Sequence, residues 1–548
     1  MENCIRIIFR QRQQIINLKL KCEEMKCLSI TGCWVLLLFS FITKSSAQNA
    51  HLWNGLIPGP YKVGFRAEWK LDYTRAWGQS DLIKQSYSNR PFGRPVRLTI
   101  WYPAQISSTS KQNKFSDYLF INTTDPCSKL AQSIIEKADI GTENKGLRGL
   151  FSGNDRAYNN LLNTGVPSYK NAMALKQRRF PLIIYSLGQN DYTLENTILF
   201  EYMASHGYVV VTVPHLGMTP RKDYLLIDDQ LSFDTQVRDL EFALSEMLKY
   251  PNVNPSEIGT LGMSMGSVYT LLLAGRNPNI KALIGLDGSV MGGLESFAYK
   301  YQGSPYYDSG NVKIPVLQIF RESHHDLSVV SSLKYSDRYL LEIKNLTHAD
   351  FTASPLYTLS TSMIFPDTFG LARRSPEYAA TEYKEICKFI TLFFDVNLKN
   401  FQPGSQEINL WKKGTGQSNI TSTFLTGITS PNEEEFAKMV SIKGIIPAID
   451  TLRRLQIKYP DVTWLRQKKL NRMAYEYIYK SSIDDAIELF KFNVAAFPVS
   501  SDAYASLADA YEIKGNKELS IEYYEKALQV NPNDNNVKSN LDRLKQLK

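Results

Sequence analysis

From about Gln48 to Val396 short apolar or β-branched runs alternate with longer stretches of helical period. Arg97–Tyr102, Leu182–Ser186, Tyr208–Val213, Ile258–Gly262, Ala282–Leu286, Val316–Phe320 and Tyr339–Ile343 read as strands. Several are apolar at every position, as expected where helices cover both faces of a sheet. Between them, Asp234–Lys249 puts Val237, Leu240, Leu244 and Met247 on one stripe, with Asp234 placed to cap its start. Strands separated by helices predict a mainly parallel, doubly wound sheet of the α/β class. Asp117–Gln177 interrupts the alternation with a long, partly helical insertion. Such insertions serve as lids or substrate walls, or are plain surface excursions.

After Phe393 the pattern degrades. Residues 398–430 are rich in Ser, Thr, Gly and Asn and read as a linker between a first domain, 48–397, and a helical region, 431–548. That region repeats with a period of thirty-four residues. Met473-Ala474 recurs as Leu507-Ala508, Tyr477 as Tyr511, Phe490 as Tyr524 and Pro498 as Pro532. The period and the small/large pattern resemble tetratricopeptide repeats, helix pairs that stack into a solenoid. Leu541 keeps the register into a polar final helix suited to a solvated cap, and Ala448 and Pro460 mark a degenerate earlier unit. Such an array is expected to offer a surface to a protein partner.

The N-terminus reads as a signal peptide. The apolar run Trp34–Ile42 is too short to span a bilayer, and Ser45-Ser46-Ala47 suits cleavage before Gln48. Residues 1–47 are therefore assigned to a leader, with translation starting at Met1 or Met25. The competing reading is an uncleaved anchor helix. The expectation is an exported protein, periplasmic or secreted, with no transmembrane segment in the mature chain. The formal charge of +9 shrinks to +5 once the leader's seven Lys/Arg and three Asp/Glu are set aside. That mild excess is a solvated surface and does not imply nucleic acid. Apolar and charged fractions of 43% and 21% are those of a globular protein. Beyond the leader only Cys127 and Cys387 remain, so neither a disulfide framework nor a thiolate metal site is available. The few histidines show no metal-ligand spacing. No metal and no cofactor are expected.

Gly262-Met263-Ser264-Met265-Gly266 is a Gly-x-Ser-x-Gly sequence, weak alone and strengthened by context. The strand Ile258–Leu261 enters it and an unbroken helix from Ser267 to Leu273 leaves it. This is the strand–turn–helix setting in which α/β-hydrolases expose a nucleophilic serine. A serine hydroxyl needs a base to take its proton. In that arrangement the chain order is Ser, acid, His, with the His after the last strand. His348 follows the strand Tyr339–Ile343 and holds that place. His206 ends a helix, His215 lies upstream of Ser264 where it lines a pocket at most, and His324 and His325 stand where an acid belongs. Asp287, closing the strand Ala282–Leu286, is the first choice for the acid. Glu322 and Asp326, around the end of the next strand, are the alternatives, and Arg321 is expected to pair with Glu322 or another carboxylate. The oxyanion hole needs two backbone N–H groups, one expected from Met265 and the other from Gln189 in the loop after Leu182–Ser186.

At these residues the chain resembles platelet-activating-factor acetylhydrolase-like enzymes, within the dienelactone-hydrolase group of α/β-hydrolases. The likeness covers roughly Leu56–Phe393. It includes Gly59-Pro60-Tyr61-Lys62-Val63-Gly64, Arg94-Pro95-Val96, Ile100-Trp101-Tyr102-Pro103-Ala104, Phe180–Ser186 and Ala204-Ser205-His206-Gly207-Tyr208. In that family the acid follows the strand after the nucleophile, which implies Asp287. Two departures stand out: Leu187-Gly188 replaces the family's His-Gly before the oxyanion loop, and His348 directly precedes Ala349-Asp350-Phe351 instead of standing a few residues ahead.

The expectation is an α/β-hydrolase domain followed by an all-α repeat domain. It cleaves carboxylic esters, small-molecule or lipid, through Ser264, His348 and Asp287. The alternatives are a peptidase of the same fold and a repeat-based binding protein with a relic hydrolase domain.

Overall fold

The computed structural model describes residues 51–76, 93–119, 147–151, 153–188, 193–215, 230–291, 307–322, 326–361, 375–428, 433–458 and 466–546. The leader assignment, Cys127, Gln189, His324 and His325 lie outside the described residues.

Twelve strands form one sheet: β1 (Lys62–Ala76), β2 (Gly93–Gln105), β3 (Gln112–Lys114), β4 (Gly165–Lys170), β5 (Met173–Ala174), β6 (Phe180–Ser186), β7 (Val209–Val213), β8 (Val253–Met263), β9 (Ile280–Leu286), β10 (Val316–Arg321), β11 (Arg338–Ile343) and β12 (Ile420–Leu425). The order is β12-β11-β10-β9-β8-β6-β7-β2-β1-β4-β3, with β5 added against β2. The six central strands, β6 to β11, are parallel to one another. Strand β2 runs antiparallel to β7, β1 antiparallel to β2, and β12 antiparallel to β11. All seven expected strands are present.

The longer helices of this domain, among the described residues, are α1 (Asp155–Asn163), α2 (Thr197–Ser205), α3 (Gln230–Met247), α4 (Gly266–Arg276), α5 (Ser354–Thr361), α6 (Pro376–Lys399) and α7 (Gln402–Trp411). They explain why the central strands are apolar throughout. One face, with Ile183, Tyr185, Leu261, Ile284 and Leu317, shares a core with Phe200 of α2 and Ile390 and Phe393 of α6. The other, with Leu182, Ile184, Val211, Ile258 and Leu283, packs on Val237 and Leu240 of α3 and Val268 and Leu272 of α4. The stripe read from the sequence is the buried stripe of α3, but the helix begins at Gln230, so Asp234 lies inside it and does not cap it. The parts of the 117–177 insertion that are described build outward from the sheet: β4 joins β1 in parallel and β3 closes on β4.

The largest difference from the sequence reading falls on 398–430. Its polar composition suggests a linker, yet α7 and β12 lie within it. Trp411 is buried and packs edge-on against Phe389 at a centroid distance of 5.3 Å. Strand β12 pairs with the whole of β11, from Ile343 opposite Ile420 to Arg338 opposite Leu425. Its Ser and Thr residues sit on an edge strand, where hydroxyl side chains face partly outward, so composition alone does not reveal pairing. The sheet domain therefore extends to about Leu425.

Seven helices follow: α8 (Glu433–Lys443), α9 (Ile445–Lys458), α10 (Gln467–Tyr479), α11 (Ile483–Ala496), α12 (Ser501–Ile513), α13 (Lys517–Val530) and α14 (Asn535–Gln546). Most of the repeating positions are packed: Met473, Ala474, Phe490, Leu507, Ala508 and Tyr524 are buried, while Pro498 and Pro532 are exposed. Small residues at Ala474 and Ala508 let neighbouring helices approach. The array leaves the sheet through β12, whose last residue lies beside the first residue of β11. The Ile428 N–H donates to the Lys334 carbonyl at 2.7 Å, and Arg466 pairs with Asp308 at 2.8 Å. No described helix is long and apolar enough to cross a membrane.

One buried carboxylate is held without a cation. Glu201 of α2 accepts from Trp53 Nε1 at 2.7 Å and from the Tyr118 hydroxyl. Burial raises its pKa from 4.5 to about 7, against the opposing pull of those two donors. A raised carboxyl stabilises the fold fully below 4.5 and loses that contribution as pH climbs through about 7. Glu201→Gln, which cannot ionise, should flatten this dependence, worth about 3 kcal/mol. Urea midpoints compared at about pH 5 and about pH 8 check it, and parallel slopes for the two proteins would refute it. A second expectation comes from β12. A chain ending at Ile428 should melt cooperatively as one domain. A chain ending at Gly404 lacks Trp411 and β12 and should be less stable by about 3 kcal/mol or more, read by thermal denaturation.

Candidate active site

The C-terminal edge of the parallel strands gathers Ser264, Asp287 and His348. Strand β8 ends at Met263 and α4 begins at Gly266, so the chain turns within two residues. Ser264 at the apex has φ +52°, a left-handed conformation costing a non-glycine residue about 1–3 kcal/mol. Hydrogen bonds hold it there. The Ser264 N–H donates to the Leu286 carbonyl at 2.9 Å. Its carbonyl accepts from the N–H groups of Ser267 at 3.1 Å and Ser289 at 3.0 Å and from Ser267 Oγ at 2.6 Å.

The two motif glycines are there for space. A Cβ on Gly262 would lie 2.4 Å from Gly266 backbone atoms, and one on Gly266 would lie 2.1 Å from the Ser186 carbonyl oxygen. Helix α4 thus starts in direct contact with the ends of β6 and β8. Its N-terminal N–H groups and dipole lie next to the half-buried Ser264, with Met265 first in line.

Asp287 follows β9 and is also left-handed, at φ +39°. Its N–H donates to the Ile319 carbonyl at 2.7 Å, which aims the side chain along the strand ends. The carboxylate is fully buried. His348 Nδ1 lies 2.5 Å from Asp287 Oδ2 and donates to it, which leaves Nε2 as the basic nitrogen. Of the three acids weighed from the sequence, Asp287 is the one beside the histidine. Glu322 is exposed and accepts from the Asn345 N–H at 3.3 Å, and Asp326 is exposed and accepts from the Ser328 N–H at 2.8 Å. That last bond, with the Ser328 hydroxyl, holds the Asp326 carboxyl below its usual value.

His348 opens a single 3-10 turn, His348–Phe351, after β11. Asp350 fastens that turn by accepting from the Thr347 N–H at 2.7 Å and from Thr347 Oγ1 at 2.8 Å, while Phe351 is buried. Thus the Ala349-Asp350-Phe351 segment directly after the histidine serves as its mounting. Two other described histidines, His206 and His215, have partners of their own. His206 caps α2, its Nδ1 2.9 Å from the Tyr202 carbonyl. His215 packs edge-on to Tyr269 at 5.1 Å, and burial pulls its pKa down to about 4, so it is neutral.

Two features escape any sequence reading. Arg321, expected on Glu322 or another carboxylate, approaches Asp287: its N–H donates to Oδ1 at 3.1 Å and its Nε lies 3.5 Å from Oδ2. A buried polar clamp joins the segment before α2 to the histidine turn. The Ala353 N–H donates to the Glu195 carbonyl at 2.8 Å, while Asn196 donates to the Tyr185 hydroxyl at 2.8 Å and accepts from that of Tyr383 at 2.8 Å. These residues are separated in the chain and follow no motif. Gln189, expected to supply an oxyanion N–H, lies outside the described residues. Among those described, no cluster of three or more His, Cys, Asp or Glu residues is placed to hold a metal.

A mainly parallel sheet of this order, with a strained serine turn between β8 and α4, defines an α/β-hydrolase fold followed by a helical-repeat region. Residues 237–348, which span Ser264, Asp287 and His348, match the family described as BAAT / Acyl-CoA thioester hydrolase C terminal. Residues 501–534 match the tetratricopeptide repeat. Among solved structures the chain is similar to a ferulic acid esterase from Streptomyces cinnamoneus, at 18% identity and a TM-score of 0.44, covering 67% of this chain and 97% of that one. No curated protein matches the chain.

The close approach at the turn is directly testable. Gly266→Ala should destabilise by about 3 kcal/mol or more, because its methyl meets fixed backbone at Ser186. Gly275→Ala, later in the same helix and 3.6 Å from Val312 Cγ2, should instead stabilise by about 0.5–1 kcal/mol. Denaturant melts of both variants decide whether space at the turn, and not helix propensity, requires the motif glycine.

Proposed function

We propose that the chain is an exported serine hydrolase that cleaves carboxylic esters through an acyl-enzyme. The observation that carries this reading is the 2.5 Å contact between His348 Nδ1 and the buried Asp287 carboxylate, beside the strained Ser264 turn. His348 Nε2 takes the Ser264 proton as Oγ attacks the ester carbonyl, and Asp287 stabilises the imidazolium that forms. The Met265 N–H, with that of Gln189, holds the oxyanion. His348 then passes its proton to the leaving alcohol, and the alcohol departs. Water, deprotonated by the same nitrogen, releases the acid.

The family match favours a second acyl donor, a thioester, served by the same three residues with a thiol as leaving group. The repeats take no part in the chemistry, since β12 leads to them from the opposite end of β11; their role is to engage a protein partner. A peptidase would use the same groups on amides. A binding protein with a relic hydrolase domain would leave the serine unreactive.

A graded series of p-nitrophenyl esters, matching thioesters and peptides separates these substrates, and a fluorophosphonate probe tests for an activated serine. Ser264→Ala should abolish labelling and turnover. Asp287→Asn should stay folded and lose about four orders of magnitude in turnover, while Glu322→Gln and Asp326→Asn cost at most about tenfold, or about 1.4 kcal/mol. Full activity in a folded Asp287→Asn enzyme would remove Asp287 from the triad.

A further inference from the structure

We propose that Arg321 is a positioning residue of the triad: its cation holds the buried Asp287 carboxylate ionised while His348 rests neutral. This rests on the reading of Ser264, His348 and Asp287 as a triad and adds a fourth member to it.

The geometry is specific. Asp287 is fully buried, and an isolated buried carboxylate is costly, so it must acquire a proton or a cation. Among the described residues, two groups stand close enough to supply either. His348 sits on Oδ2 at 2.5 Å, and Arg321 reaches the same oxygen through Nε at 3.5 Å and Oδ1 through its backbone N–H at 3.1 Å. The guanidinium is a permanent cation. With it in place the carboxylate is balanced without a proton on His348 Nε2, and that nitrogen is free to receive the one from Ser264.

Without Arg321 the cheapest cation for Asp287 is the imidazolium itself. His348 would then rest with both nitrogens protonated and could not act as a base until the pH was raised. During attack the imidazolium leaves Asp287 between two cations, and the oxyanion formed at the same moment restores the balance. Arg321 therefore acts through the resting state of the base and touches no reacting atom.

Other charged groups on the surrounding elements are engaged elsewhere. Asp350, on the histidine turn, accepts from Thr347. Glu322 bonds the Asn345 N–H and Asp326 the Ser328 N–H. Lys344, ahead of the turn, donates to the Ser418 carbonyl at 3.4 Å. Among the described residues, Arg321 is the Lys or Arg side chain placed on the acid.

The test is the pH profile of kcat/KM for one soluble ester, or of the labelling rate with the fluorophosphonate probe, in the full mature chain. Arg321→Gln should move the acid limb upward by about one pH unit and recover most of the wild-type rate on the alkaline plateau. Arg321→Lys, which keeps the charge, should leave the limb in place. A Gln enzyme with an unmoved limb overturns the proposal, and so does one whose rate falls equally at every pH, the mark of a merely structural role. If the Gln variant does not fold, the Lys variant decides, because a limb displaced by about one unit with the charge retained is incompatible with the proposal. Failure of the triad reading is separate: it appears as activity surviving in Ser264→Ala, whatever the Arg321 variants do.

Discussion

The site depends on the contact between the first turn of α4 and the ends of β6 and β8. At Gly262 and Gly266 no side-chain atoms keep helix and sheet apart, and the helix settles onto the Ser186 carbonyl. That approach leaves two residues to reverse the chain, so Ser264 is forced into a left-handed conformation. The cost, about 1–3 kcal/mol, is met by hydrogen bonds to both its peptide groups. The same geometry puts the helix N-terminus next to Ser264. The placement proposed for the nucleophile thus follows from one packing event.

Around this turn the protein solves a second problem, the burial of charge. Asp287 stands at the end of the neighbouring strand with its carboxyl buried, a place that is costly for an anion without donors or a cation. Each carboxylate oxygen has a donor, and the Arg321 guanidinium adds a cation from the next strand over. Three adjacent parallel strands therefore each contribute one member at the same edge: β8 the serine, β9 the acid and β10 the arginine. The histidine arrives on a separate 3-10 turn after β11 that carries its own cap and is tied to Glu195 by the Ala353 N–H. Polar groups are spent heavily in this region because catalytic geometry must be held by directional bonds; apolar packing fixes distance but not orientation.

The repeat array is joined to this machinery by a strand. Because β12 is antiparallel to β11, its start lies near the active-site edge and its end at the opposite edge, where the helices begin. At the near end the Lys344 N–H donates to the Asn419 carbonyl at 3.0 Å, so the segment leading to His348 is bonded to the strand leading to the repeats. The helical region thereby packs on Tyr335 and pairs with Asp308, and the segment leading to it bonds Lys334.

The sequence by itself determined the alternation of strands and helices, the stripe of α3, the thirty-four-residue repeat and the serine turn. Each of these is written in local periodicity or in contiguous residues, where burial and backbone strain act over a few positions. It also narrowed the histidine to His348 and ranked Asp287 first among three acids, from strand order alone. The tertiary structure decided the rest. Which carboxylate meets the imidazole depends on strands that are neighbours in space, so the choice of Asp287 over Glu322 and Asp326 needed the contact itself. The partner of Arg321 was open for the same reason. Strand β12 was hidden because edge pairing uses backbone groups that every residue carries, and its Ser and Thr side chains give a linker-like composition. Only the fold shows which backbone a strand is bonded to.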